Sequence, residues 1–135
     1  MKKEIRHPDK KFTYGLFSAG IASDGWLFVS GQGPLDMKTG LRVPGTIEEE
    51  TARTLANLER ILGEAGCTRD DVVKCTCYLA DMDDFEGFNR AYGEFFTGTR
   101  PARTTVGAQL MKSIRVEIDA IACHPDGIGS GGSVE

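Results

Sequence analysis

The sequence predicts a single α+β domain in which five strands form one sheet and two helices cover one face of that sheet. Segments 46–66 and 84–96 place apolar residues three or four positions apart, as amphipathic helices do. Segments 71–79 and 114–123 have the apolar and polar alternation of half-buried strands. A length of 135 residues suits one domain with its own core.

The predicted domain begins with a polar segment and a hairpin. The first ten residues are polar, and we expect them to be loosely ordered. Residues 12–21 predict an irregular strand and residues 26–30 a buried one, joined by the turn Ser23-Asp24-Gly25. Gly31 and Gly33 then leave backbone N–H groups accessible to a ligand, although a tight turn is the simpler explanation.

The first helix has recognisable signals at both ends. Thr46 and Glu49 have the spacing of a capping box, and the acidic residues 48–50 suit the positive end of the helix dipole. Gly66 is predicted to end the helix. The apolar stripe comprises Ile47, Leu55, Leu58, Ile61, Leu62 and Ala65.

The second helix carries an aromatic stripe whose spacing is typical of a core face rather than of a cofactor site. That stripe comprises Phe85, Phe88, Tyr92, Phe95 and Phe96. Strands at 103–109 and 114–123 then complete the order β-β-α-β-α-β-β. Residues 124–135 are rich in Gly and Ser and predict a disordered tail, so we expect the domain core at 12–123.

Composition argues against nucleic-acid and membrane partners. The net charge is −4, and the basic residues are scattered rather than clustered as phosphate binding requires. No apolar run approaches the ~20 residues of a membrane span. The polar start also lacks the apolar stretch of a secretion signal, so we expect a cytoplasmic protein.

The cysteines predict no metal site and no cofactor. Cys75 and Cys77 are expected to share the apolar face of a strand with Val73 and Leu79. The four cysteines have neither a redox C-x-x-C spacing nor a zinc spacing. They are best interpreted as small core residues in a reducing compartment.

The last two strands predict a polar site on the sheet. Every second residue from 114 to 122 is apolar, so Glu117 and Asp119 lie on the other face, where a carboxylate needs water, a partner charge or a ligand. Arg103 opens the preceding strand and could hold an anion, while Glu117 could handle water or a proton. From spacing alone, an ion pair of Arg103 with Glu117 or Asp119 explains the pattern equally well.

The sheet face without helices is expected to be a mixed polar surface. It would carry Lys74, Thr76, Tyr78, Arg115, Glu117 and Asp119. Association of several copies through this face would create sites between subunits.

Five motifs occur in order between Tyr14 and Ala122. They are Gly15-Leu16-Phe17-Ser18, Ser30-Gly31-Gln32 with Pro34, and the segments 81–96, 100–106 and 116–122. With these motifs the chain resembles the Rid family of reactive-intermediate deaminases, also called the YjgF family.

The resemblance implies a chorismate-mutase-like fold and a homotrimer with three sites between neighbouring subunits. The implied activity is hydrolysis of 2-imino acids and their enamine tautomers to 2-oxo acids and ammonia, without a metal or an organic cofactor. Arg103 matches the arginine that holds the substrate carboxylate, and Glu117 matches the glutamate that positions the attacking water. The matching residues around the pocket are Phe17, Ser30, Gly31, Asn89 and Thr105.

Three departures leave the substrate range open. Phe17 stands where many family members have tyrosine, Thr105 where cysteine is frequent, and Ala19 where glutamine is frequent. One alternative is a pathway-specific deaminase of aminomuconate- or aminoacrylate-type compounds. Another is a non-catalytic trimer that binds small carboxylates or acts as a chaperone. A ribonuclease role is disfavoured by the acidic charge and by the lack of a poised histidine pair.

The predicted site residues also have structural explanations. Glu117 alone could be a solvated strand residue, and Ser30 could form a hydrogen bond at a strand end. Asn89 could simply tie its helix to a loop.

Overall fold

The structure is one mixed sheet of six strands with two helices against one face, which confirms the predicted fold class. A computed structural model describes residues 1–12 and 15–124. The strands are β1 (Lys3–Ile5), β2 (Gly20–Ser23), β3 (Trp26–Gln32), β4 (Val72–Leu79), β5 (Ala102–Gly107) and β6 (Val116–Cys123). The helices are α1 (Ile47–Glu64) and α2 (Phe85–Phe95).

The strand order across the sheet is β1-β2-β3-β6-β4-β5. Neighbouring strands are antiparallel except β4 and β5, which are parallel. The core lies between the sheet and both helices, where apolar residues of β3, β4 and β6 meet leucines of α1 and aromatic rings of α2. The sheet face without helices, called the open face below, carries Ile21, Phe28, Lys74, Thr76, Tyr78, Glu117 and Asp119.

The N-terminal segment differs from its prediction. Residues 3–5 were expected to be loosely ordered, but they form β1, which pairs antiparallel with β2 and buries Ile5. The strand expected at 12–21 is also wrong, because only its last two residues enter β2, at Gly20–Ser23. Gly15 has a φ of 84°, which an extended strand cannot accommodate. The sheet therefore has six strands rather than five.

The ends of α1 confirm the predicted local signals. The Thr46 side chain accepts a hydrogen bond from the Glu49 N–H at 3.1 Å, and the Glu49 carboxylate accepts one from the Thr46 N–H at 2.9 Å. At the other end, Gly66 adopts a φ of 77°, and the Cys67 N–H donates to the Leu62 carbonyl at 2.9 Å. The helix is thus stopped where the sequence predicted.

A bulge in β4 changes which residues face the core. The pairing of β4 with β6 shifts between Val72 and Lys74. Val72 is therefore buried, whereas Val73 is 44% exposed and does not share the face of Cys75 and Cys77, contrary to the prediction. The two cysteines are fully buried, as predicted.

The predicted tail at 125–135 lies outside the described residues. In the described part of the chain, helices are too short or too polar to cross a membrane.

Candidate functional site

The seven predicted site residues form two groups on opposite faces of the sheet. The first group borders a cleft on the open face and comprises Phe17, Ser30, Gly31 and Glu117. The second group lies at the edge strand β5 and the adjoining helix α2, and comprises Asn89, Arg103 and Thr105. One chain therefore does not bring Arg103 and Glu117 together.

The cleft on the open face has a volume of about 550 Å³. Its walls are mainly apolar and comprise Phe17, Ile21, Phe28, Leu35, Met111 and Ile114. Its polar lining residues are Ser18, Ser30, Lys112, Glu117 and Asp119. An apolar cleft with a few polar groups is typical of a small-molecule site.

Glu117 lies beside an irregularity in the neighbouring strand. The pairing of β3 with β6 shifts between Val29 and Gln32, so Ser30 and Gly31 fall outside the regular ladder. A Cβ atom at Gly31 would overlap the Glu117 carboxylate. Glycine at this position therefore lets the carboxylate lie directly against the backbone of β3.

Ser30 holds the loop that carries Phe17. The Ser30 hydroxyl donates to the Ser18 carbonyl at 2.6 Å, and its N–H donates to the Ala19 carbonyl at 2.9 Å. This observation favours the structural explanation for Ser30, a hydrogen bond at a strand end. The hydrogen bond to Ser18 also affects the cleft, because it holds the neighbouring residue Phe17 in place along the cleft wall.

The electrostatic surroundings of Glu117 favour its neutral form. Burial, and then the nearby charge of Asp119, raise the pKa of Glu117 above the ordinary value of 4.5. No hydrogen bond or ion pair from residues 1–12 or 15–124 reaches this carboxylate. Asp119, in contrast, accepts a hydrogen bond from the Tyr78 hydroxyl at 3.0 Å.

Arg103 lies on the helix side of β5, opposite Cys75 of β4 in the parallel ladder. Its Nη1 donates to the Asn89 Oδ1 at 2.8 Å. Its guanidinium carbon lies 4.7 Å from the centre of the Tyr92 ring and 5.4 Å from that of Phe88. These contacts orient the guanidinium while using one of its five N–H donors.

No ion pair joins Arg103 to a carboxylate within the described ranges. The proposed pairing of Arg103 with Glu117 or Asp119 in one chain is therefore wrong, because the strands turn these side chains to opposite faces. Asn89 ties α2 to β5 through Arg103, rather than tying its helix to a loop.

The groove around Arg103 has a volume of about 570 Å³ and is also lined by Asn89, Tyr92 and Arg100. Two residues beyond Arg103, the Thr105 hydroxyl is buried and has no hydrogen-bond partner in the described structure. Leaving a buried hydroxyl unpaired costs about 1–3 kcal/mol. A ligand or a neighbouring chain at this edge could supply the missing partner.

Several residues that shape the site were not identified from the sequence. Arg100 braces the approach to β5, because its Nε donates to the Phe96 carbonyl at 2.7 Å and its Nη2 to the Gly93 carbonyl at 3.2 Å. Its presence in the 100–106 motif was a usable signal.

Glu50 was interpreted only as a helix-dipole residue, yet its buried carboxylate anchors the start of β6. It accepts from Arg42 Nη2 at 2.6 Å and from the Arg115 N–H at 2.9 Å. Arg115 immediately precedes β6 and is two residues before Glu117, so this network fixes the end of the strand that carries Glu117.

Metal ligation is not supported by the described side chains, among which no group of three His, Cys, Asp or Glu residues could hold an ion.

Comparison with known proteins agrees with this architecture. Residues 9–124 match the family described as endoribonuclease L-PSP. A 2-iminobutanoate/2-iminopropanoate deaminase from Mus musculus is 44% identical over 123 residues, which cover 90% of this chain and 91% of the relative. Two solved structures are also similar, and both cover nearly all of the chain.

One is a Rid-family protein of unknown function from Yersinia pestis, with a TM-score of 0.86 and 35% identity, covering 92% of this chain and 100% of the other. The second is E. coli TdcF with bound serine, with a TM-score of 0.83 and 30% identity, covering 90% and 98%. The resemblance seen in the sequence is thus confirmed, and the chain belongs to the endoribonuclease L-PSP family, which includes the Rid proteins.

Proposed function

We propose that this protein hydrolyses 2-imino acids and their enamine tautomers to 2-oxo acids and ammonia. The observation that carries this proposal is that one chain contains two incomplete half-sites, one at each face of the sheet. Arg103 presents N–H donors at the sheet edge, and Glu117 presents a half-buried carboxylate in an apolar cleft. The name of the mouse relative supports the reaction, and serine bound to TdcF supports an amino-acid-like ligand.

The complete site would require two copies of the chain. Within one chain, the sheet separates Arg103 from Glu117, so a small substrate cannot contact both. The homotrimer that the resemblance implies would place the β5 edge of one copy against the cleft of the next. The open face supports such an assembly, because Trp26 and Phe28 are 42% and 47% exposed there.

Arg103 would bind the carboxylate of the substrate through two charge-assisted hydrogen bonds. The bond to Asn89 and the aromatic rings of α2 would hold the guanidinium in one orientation. Thr105, whose buried hydroxyl has no partner in the described structure, would lie behind the same binding edge. In the proposed assembly, these contacts would hold the electrophilic C=N carbon at a fixed distance from the cleft of the partner chain.

Glu117 would then act as the general acid and base that transfers protons during hydrolysis. Water attacks the C=N carbon, its oxygen forms the new C–O bond, and Glu117 exchanges protons between that oxygen and the nitrogen. The C–N bond of the resulting carbinolamine breaks, and ammonia leaves as the C=O bond forms. Proton transfer by a positioned carboxylate contributes about 100- to 10,000-fold. Phe17, with Ser30 behind it and Gly31 beside Glu117, would shape the pocket around the substrate side chain.

The histidines do not favour RNA cleavage. The chain has two, and neither lines the cleft. His7 is buried and bonds to Asn57 of α1, and His124 follows the end of β6.

An oxidase-coupled assay tests the proposal. An amino-acid oxidase generates 2-imino acids from aliphatic and aromatic amino acids, and semicarbazide traps whatever imine the protein leaves. We expect the wild type to suppress trapping and Arg103→Ala to lose at least tenfold in kcat/KM, about 1.4 kcal/mol. Arg53→Ala, an exposed arginine on α1, is the matched control and should behave as wild type.

A smaller loss in Arg103→Ala would contradict the anchoring role. If the wild type never suppresses trapping, the non-catalytic alternative gains support, and small carboxylates should then bind equally well to Glu117→Ala. A pathway-specific enzyme would act on an aminoacrylate- or aminomuconate-type compound and not on the panel.

A further inference from the structure

A second carboxylate lies in the cleft beside Glu117. Asp119 is two residues further along β6 on the same open face, and both side chains line the same cleft. Alternate residues of a strand are about 6.6 Å apart, which is close enough for two charges in a partly buried site to interact strongly. The cleft therefore holds a pair of acids rather than one.

The two acids have different partners. The Tyr78 hydroxyl donates to the Asp119 Oδ2 at 3.0 Å, and Tyr78 itself stands directly opposite Glu117 in the pairing of β4 with β6. Tyr78 thus lies beside Glu117, while its hydroxyl holds the carboxylate of Asp119. Glu117 has no such partner among the residues described.

The other charged side chains near Glu117 form hydrogen bonds with groups other than the Glu117 carboxylate. Lys112, from the turn Met111–Ser113, lines the cleft but donates to the Gly40 carbonyl at 2.9 Å. Arg115, just before β6, donates to the Gly45 carbonyl, and Lys74 on β4 bonds to Thr104. The β3 residues that face Glu117 carry no titratable group.

We propose that Asp119, fixed by the Tyr78 hydroxyl, is a positioning residue of this site that acts on the reaction through Glu117. The inference rests on the deaminase function proposed above. Neither Asp119 nor Tyr78 needs to touch the substrate. Tyr78 holds the Asp119 carboxylate in one position, so that its negative charge stays beside Glu117, the residue that transfers protons.

The chemical consequence concerns which acid carries the transferable proton. Two neighbouring carboxylates cannot both ionise easily, so the one without stabilising hydrogen bonds retains its proton longer. Here that residue is Glu117, whose pKa is raised by burial and by Asp119. A protonated Glu117 can donate to the nitrogen of the carbinolamine when the C–N bond breaks, and the resulting carboxylate accepts the proton of the carbinolamine hydroxyl as the C=O bond forms.

The test is a titration of Glu117 followed by NMR. Protein labelled with ¹³C at glutamate carboxyls is titrated as wild type, Asp119→Asn and Tyr78→Phe, and the Glu117 signal is assigned by its loss in Glu117→Gln. Asp70→Asn removes an equal charge from an exposed turn before β4 and is the matched control. Asparagine has the shape of aspartate, so the fold should be retained.

We expect the titration midpoint of Glu117 to fall by about half a pH unit in Asp119→Asn, because a repelling charge is gone. A smaller downward shift is expected in Tyr78→Phe, where Asp119 is free to move away. A shift in Asp119→Asn no larger than that in Asp70→Asn would overturn the proposal.

Assays of imine hydrolysis by the same variants across pH distinguish failure of the Asp119 proposal from failure of the deaminase proposal. The alkaline decline of kcat should begin at lower pH in Asp119→Asn, since Glu117 loses its proton earlier. If the wild type is active and Asp119→Asn has the same pH profile of kcat as the control Asp70→Asn, the role of Asp119 is refuted while the deaminase function stands. A wild type without imine hydrolysis refutes the deaminase function, and with it the role of Asp119 in catalysis.

Discussion

Arg103 and Glu117 lie on opposite faces of the same sheet, although the strands that carry them are separated only by β4. Arg103 faces α2, where Asn89 and aromatic rings fix its guanidinium, and Glu117 faces the open cleft. This separation is what links the proposed chemistry to assembly, because a catalytic pair can form only when the edge of one chain meets the cleft of another.

Mixing two inactive variants should therefore restore activity. Arg103→Ala retains an intact cleft, and Glu117→Ala retains an intact edge, so a mixed assembly can pair the two undamaged halves. We expect each variant alone to lose at least tenfold in kcat/KM. After the two are unfolded and refolded together, the oxidase-coupled assay should show activity well above that of either variant.

The control for this experiment refolds each variant by itself and combines them afterwards without unfolding. Activity that stays at the level of the separate variants after joint refolding would contradict a site shared between chains.

A methyl group at Gly31 should impair activity more than stability. The added Cβ would overlap the Glu117 carboxylate, which can swing away at little energetic cost but then leaves its position. Activity of Gly31→Ala should fall at least tenfold, while the urea unfolding midpoint changes little. Gly63→Ala is the control, because a Cβ there meets nothing within 4 Å and alanine favours the helix. Wild-type activity in Gly31→Ala would contradict the assigned position of Glu117.

Glu50→Gln should destabilise the fold strongly. Its carboxylate is buried, pairs with Arg42 at 2.6 Å, and accepts the Arg115 N–H at the start of β6. Removing one partner of a buried ion pair leaves the other charge uncompensated, at a cost of roughly 3 kcal/mol. Urea unfolding measures the loss, and Glu86→Gln, at an exposed position of α2, should change stability by less than about 0.5 kcal/mol. A loss below about 1 kcal/mol in Glu50→Gln would refute this role.

Stability should decline below pH 6.5 because of His7. Burial lowers the pKa of His7 from 6.5, and the neutral ring accepts the Asp9 N–H at its Nδ1 while its Nε2 meets the Asn57 Oδ1 at 3.1 Å. The unfolded chain therefore binds this proton first as pH falls, and the stabilisation present above pH 6.5 is lost below it.

Urea unfolding at pH 7.5 and 5.5 tests this dependence. The difference between the two midpoints should be smaller in His7→Gln than in the wild type. His124→Gln, which removes the other histidine, should retain the wild-type difference. Equal differences in all three proteins would exclude His7 as the cause.

Features set by local sequence were predicted well. The capping box of Thr46 and Glu49, the stop at Gly66 and the aromatic stripe of α2 each depend on residues within one or two helical turns. The alternation in 114–123 likewise predicted the buried side of β6, from Val116 to Ala122, and the burial of Ile114 just before the strand.

Features set by distant pairing were not predicted. The segment Lys3–Ile5 contains one apolar residue, and it becomes a strand only because β2 lies beside it. The bulge that exposes Val73 is a property of the pairing with β6. Local pattern also could not show that Arg103 and Glu117 point away from each other, because their relative direction depends on how β5 and β6 each pair with β4.

The buried cysteines of β4 give the protein an internal reporter of its own opening. Burial raises the pKa of Cys75 to about 11 and that of Cys77 to about 12, so at neutral pH neither thiol is nucleophilic while the core is closed. An alkylating reagent can therefore modify them only after β4 separates from the helices above it. The rate of that modification would measure how often the core face of β4 becomes exposed, and no label would need to be introduced.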